Sequence, residues 1–205
     1  MKTIGYFGDS FCESQEKDSW CVLLADKLEC EVKHWGRGGS SVWSVFLDYQ
    51  RLLHNDALPD ICVFCYTEPY RLYHPTVPLA YGVQPFPGPD ENLWKAADMY
   101  YVYLQDRKKD ELAYRYALQW FDQNELPRAK DKKIVQMWSI RPFELAGYPG
   151  NIKLQTGTFI DESILRHACD GETKPKLGKF DPDLSNHMTP EQNRTWADII
   201  YDKIS

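Results

Sequence analysis

The chain has 205 residues, of which 43% are hydrophobic and 26% charged, proportions that suit one globular domain with a sizeable core. Its 30 acidic and 24 basic residues give a net charge of −6, and no stripe of Lys or Arg is visible, which argues against a nucleic-acid partner. No N-terminal leader pattern and no apolar run of about 18 residues is present, so the expectation is a cytoplasmic chain without a membrane span and with reduced thiols.

In chain order, Thr3–Phe7 reads as a buried strand. It ends in Gly8-Asp9-Ser10, a turn sequence, and a helix is expected over Asp18–Leu28 with Asp18 or Ser19 as its N-cap. Glu31–Trp35 reads as a second strand, followed by the glycine-rich turn Gly36-Arg37-Gly38-Gly39-Ser40-Ser41. Val42–His54 carries Val42, Val45, Phe46, Tyr49, Leu52 and Leu53 at helical spacing. Ile61–Tyr66 is apolar throughout and reads as a third, central strand. Strand–helix–strand–helix–strand at this spacing predicts parallel βαβ units, hence an α/β fold with helices on both faces of a short parallel sheet. Cys62 and Cys65 form a C-x-x-C, but residues three apart on a strand point to opposite faces, so they read as core residues rather than a redox or zinc pair.

Regularity is lost after Tyr66. Residues 69–89 hold six prolines and many aromatics, which excludes a helix and disfavours a central strand. Helices are expected over Glu91–Gln105 and Asp110–Asn124, so residues 69–126 read as an insertion containing a helical hairpin. Lys133–Ile140 reads as a fourth strand. Residues 144–180 read mostly as loop, with a short helix around Glu162–Ala168, and Pro190–Ile204 as the last helix, capped by Thr189.

Ser10 would stand at the carboxyl end of the first strand, where open α/β sheets place ligands. A serine there can be exposed while its own N–H faces the same space, as a nucleophile with one oxyanion donor requires. The competing interpretation is a plain turn. A serine after the first strand, a glycine turn after the second and Asp183-Leu184-Ser185-Asn186-His187 before the last helix resemble the SGNH (GDSL-type) hydrolase family, over roughly residues 2–68 and 181–205.

That resemblance implies a three-layer α/β/α sandwich with strand order 2-1-3-4-5. It implies Ser10 as nucleophile, His187 as base and Asp183 as the acid that orients His187, with the N–H groups of Ser10 and Gly39 as oxyanion donors. The sequence departs from the family at two points. The family spacing is Asp-x-x-His, whereas Asp183 lies four residues before His187, with Asp181 in reserve. The family's Asn after strand three is absent from Cys65-Tyr66-Thr67-Glu68-Pro69-Tyr70-Arg71. Glu68 falls where that donor would be, and an ionised carboxylate cannot donate. The Thr67 hydroxyl or Arg71 is the candidate replacement in the oxyanion site. Arg71 and Arg141, both leaving strand ends, are candidates for binding an anionic substrate group.

The expected function is hydrolysis of an O-acyl ester of a carbohydrate or other small alcohol, without metal or organic cofactor. The carbohydrate preference rests on the aromatic-rich insertion and on family analogy. The alternative is an SGNH-fold protein that binds without turnover, as a homo-oligomer or a subunit of a larger assembly that uses 69–126 as its contact surface.

Overall fold

The computed structural model describes residues 1–77, 79, 91–140, 152–168 and 187–205. Its strands are β1 (Lys2–Phe7), β2 (Cys30–His34), β3 (Ile61–Tyr66), β4 (Lys133–Trp138) and β5 (Thr158–Ser163). They form one parallel sheet in the order β2-β1-β3-β4-β5. Around it stand α1 (Trp20–Lys27), α2 (Val42–His54), α3 (Glu91–Met99), α4 (Arg107–Trp120), α5 (Ile164–Ala168) and α6 (Pro190–Ile204).

The sheet is covered on both faces because its central strands are apolar on both. Ile4 and Tyr6 of β1, with Val63 and Cys65 of β3 and Val135 and Met137 of β4, pack against Trp20 and Leu24 of α1 and Trp196 and Ile200 of α6. On the opposite face, Phe7, Cys62, Phe64 and Trp138 meet Val45, Phe46 and Tyr49 of α2 and Leu118 of α4. Cys62 and Cys65 therefore belong to different cores, as strand alternation requires. The result is a three-layer α/β/α sandwich. The edge strand β2 alternates half-buried with exposed positions and puts Glu31 and Lys33 in solvent, which discourages further strand pairing.

Strand β5 is where the structure departs most from expectation. Its sequence, Thr-Phe-Ile-Asp-Glu-Ser, buries only Ile160 and Ser163, so no apolar run announces it. It closes the other edge of the sheet, and an edge strand exposed on one side needs few apolar residues. Gly157 introduces it with φ of +73°, and a Cβ there would lie 2.2 Å from the Ile134 carbonyl oxygen. Glycine is required by both conformation and space.

In the hairpin region, α3 passes into a wider π turn over Tyr100–Leu104. Asp106 caps α4 by accepting from the N–H groups of Lys108 and Lys109. A second π turn, Phe121–Glu125, and a 3-10 turn, Leu126–Arg128, lead back to the sheet. Among the described residues, no helix is long and apolar enough to cross a membrane.

Candidate active site

All five strands run in the same direction, so the segments leaving β1, β2 and β3 emerge at one edge of the sheet. Gly8-Asp9-Ser10 leaves β1, Gly36–Ser40 leaves β2, and Thr67–Arg71 leaves β3. The first two are joined by backbone bonds: the Gly36 N–H donates to the Cys12 carbonyl at 3.1 Å and the Arg37 N–H to the Gly8 carbonyl at 3.0 Å. The Ser40 hydroxyl also donates to the Gly8 carbonyl, at 2.8 Å. The fit is close. A Cβ on Gly36 would lie 2.5 Å from the Cys12 Sγ, and one on Gly8 would lie 2.7 Å from the same atom.

Asp9 is fully buried and caps the short 3-10 turn Ser10–Cys12, accepting from the Phe11 N–H. This turn directs Ser10 outward. His187 arrives from the other end of the chain, just ahead of α6. Its Nε2 lies 2.8 Å from the Ser10 Oγ. In the neutral tautomer with its proton on Nδ1, Nε2 accepts the serine proton. His187 holds a φ of +59°, a left-handed conformation uncommon outside glycine.

Several contacts hold it there. Thr189 and Gln192 form a reciprocal capping box at the start of α6. Asn193, fully buried, donates through Nδ2 to the Met188 and Thr189 carbonyls and accepts the Trp20 N–H at 2.8 Å. The Trp20 indole in turn donates to the Phe11 carbonyl at 2.6 Å, and the Phe11 ring meets the His187 ring edge-on at 5.2 Å. The starts of α1 and α6 and the Ser10 turn are thus tied into one unit.

Burial pushes the His187 pKa below its ordinary value of 6.5; Arg71 adds to this effect, while Asp9 and Glu13 oppose it. Burial disfavours the imidazolium, so the proton leaves at lower pH and the basic form is in place at neutrality. Any activity that uses this base is expected to rise with pH through a midpoint below 6.5 and to be level by pH 7. A kcat profile whose acid limb is centred above 6.5 would show that burial does not dominate the titration of His187.

Gly39 lies in the β2–α2 turn with φ of +68°, so glycine is favoured there on conformational grounds. Among the described residues, neither the Ser10 N–H nor the Gly39 N–H has a hydrogen-bond acceptor. Thr67 does not take the place expected of it. It is buried, and its hydroxyl proton is committed to the Glu68 carboxylate. Arg71 is also enclosed. Its Nε donates to Glu68 at 2.6 Å, one terminal nitrogen to the Ser40 carbonyl at 3.2 Å, and the other lies 3.3 Å from the Asp9 carboxylate. The last is a charge contact rather than an aligned hydrogen bond, since that Asp9 oxygen has no hydrogen-bonded donor.

These contacts change the meaning of Glu68. Burial alone would push its pKa up, but Arg71 and the Thr67 hydroxyl outweigh burial and hold it below the usual carboxylate range. Glu68 is thus an ionised partner of a guanidinium rather than a bare charge facing an oxyanion. Asp183, its reserve Asp181, and Arg141 lie outside the described residues. Among the described residues, no three His, Cys, Asp or Glu side chains converge as a metal site would need.

Sequence reasoning missed Asp9, Asn193 and the Glu68–Arg71 pair. Two of these carried a signal. Asn193 occupies the apolar stripe that continues through Trp196, Ala197 and Ile200, and Glu68 and Arg71 stand three residues apart with opposite charge.

No family model matches the chain, and no curated protein matches it. One similar solved structure is "a putative lipolytic protein of G-D-S-L family from Desulfitobacterium hafniense DCB-2", at 10% identity and a TM-score of 0.46. The alignment covers 98% of this chain and 99% of that one, a likeness too remote to assign a family.

Proposed function

We propose that the chain is a serine esterase of the SGNH type, acting on an O-acyl ester of a carbohydrate or other small alcohol. The observation that carries this reading is the 2.8 Å contact between the Ser10 Oγ and the His187 Nε2, made by side chains 177 residues apart. A serine hydroxyl is a poor nucleophile until a base takes its proton, and this pairing supplies one. Ser10 attacks the ester carbonyl, and its proton passes to His187. The resulting oxyanion is received by the Ser10 and Gly39 N–H groups. His187 then protonates the departing alcohol, and water, activated by the same imidazole, releases the acyl group from Ser10. Asp183 is assigned to orient His187 on the resemblance alone.

A second interpretation, binding without turnover, is favoured by an apolar groove of about 650 Å³ between α2 and α4. Its wall includes Trp43 and Trp120, which are exposed. Hydrolysis of p-nitrophenyl acetate by the wild type and by Ser10→Ala separates the two. The esterase reading requires the variant to be far slower; equal rates would overturn it.

A further inference from the structure

The Glu68–Arg71 pair occupies the segment where the resembling family carries its third oxyanion donor, and both side chains are largely enclosed: Arg71 is 10% exposed and Glu68 16%. What the guanidinium touches is informative. Asp9 is the residue before Ser10, and Ser40 is the residue after Gly39. Arg71 therefore contacts the immediate neighbours of both amides assigned to the oxyanion, one through a carboxylate and one through a carbonyl. Glu68 holds its third side at 2.6 Å, and Thr67 fixes Glu68 from behind.

Building on the esterase reading, we propose that Arg71 is a positioning residue that bridges the β1 and β2 loops, setting the separation of the Ser10 and Gly39 amides, with Glu68 as its anchor. It acts through those loops and binds no substrate group, contrary to the expectation that it would hold an anion. The planar fork suits this task, because three nitrogens reach three different partners at fixed angles. A lysine has one nitrogen and cannot span Asp9, Ser40 and Glu68 together. The oxyanion donors act only on the charge that develops in the transition state, so misplacing them should lower kcat and leave KM nearly unchanged.

The test compares wild type, Arg71→Lys and the double variant Arg71→Met/Glu68→Met. The double variant replaces the buried ion pair by apolar side chains, an exchange that is often tolerated, so it remains informative if Arg71→Lys fails to fold. For each, thermal unfolding is recorded alongside the kinetics and pH profile of p-nitrophenyl acetate hydrolysis. In a folded variant kcat is expected to fall about 10²-fold with KM little changed, the loss typical of slight misplacement at a reacting centre. The double variant carries a further signature. Among the described residues, the charged groups acting on His187 are Asp9, Arg71 and Glu13; removing the Arg71 charge, which lowers the His187 pKa, should move the acid limb of kcat to higher pH. That shift follows from the lost charge alone; the readout a merely structural role would not move is the fall in kcat at nearly constant KM in a folded variant. Wild-type kcat in either folded variant would overturn the positioning role while leaving the esterase standing. A wild type with no Ser10-dependent hydrolysis would bring down both.

Discussion

Ser10→Ala and His187→Ala should each reduce hydrolysis of p-nitrophenyl acetate by about 10³- to 10⁴-fold, and the double variant should be no slower than either. The magnitude follows from two opposing considerations. Removing a serine nucleophile or its base from a complete site costs about 10⁶-fold. This site has the Thr67 hydroxyl turned to Glu68 and shows no third donor among the described residues; a missing oxyanion donor lowers the starting rate by about 10²–10³. Less catalysis is present to be lost. The non-additivity comes from the 2.8 Å contact: without the hydroxyl the imidazole has no proton to remove, and without the imidazole the hydroxyl stays protonated. Effects that multiplied in the double variant would mean that the two side chains act independently.

The largest stability effect is expected away from the site, at Asp122. This carboxylate, 1% exposed, lies in the π turn after α4 and faces the segment entering β5. One oxygen accepts from the Gln136 side-chain amide at 2.7 Å and the Thr156 N–H at 2.9 Å, the other from the Gln155 N–H at 2.8 Å. Gln136 itself is fully buried on β4 and accepts from the Tyr66 hydroxyl at 2.7 Å. Asp122→Ala would strip the acceptor from three donors at once. Each stranded donor costs about 1–3 kcal/mol, so a total loss of about 4 kcal/mol is expected. In a chain of this size that lowers the thermal midpoint by about 8–16 °C. Asp48→Ala, which removes an exposed carboxylate paired with Arg51 on α2, should shift it by less than about 2 °C. Comparable shifts for the two would show that the buried network is not holding β5 in place.

The two faces of the sheet explain why so much of the fold was legible. Ile61–Tyr66 is apolar on both sides, α2 carries one apolar stripe, and α6 opens with Thr189-Pro190 and a glutamine at the third position. In each case local pattern and tertiary burial agree. Strand β5 was not legible because its pairing depends on β4 and on the buried polar network around Asp122, neither of which leaves a periodic trace. The encounter of Ser10 with His187 was legible only through motif order, since no local rule joins residues 177 apart. The role of Thr67 was misjudged for a related reason. The segment was read one residue at a time, and the hydroxyl's partner, Glu68, is itself committed to Arg71. A chain of such dependencies has no signature in spacing alone.

The most direct measurement is covalent labelling. A fluorophosphonate reacts with a serine whose proton is being removed by a neighbouring base and leaves other hydroxyls largely untouched. Peptide mass spectrometry of the treated wild type should find one adduct, on Ser10, and His187→Ala should take up the probe far more slowly. An unmodified Ser10 in folded wild-type protein, or equal labelling with and without His187, would contradict the assignment of this pair as nucleophile and base.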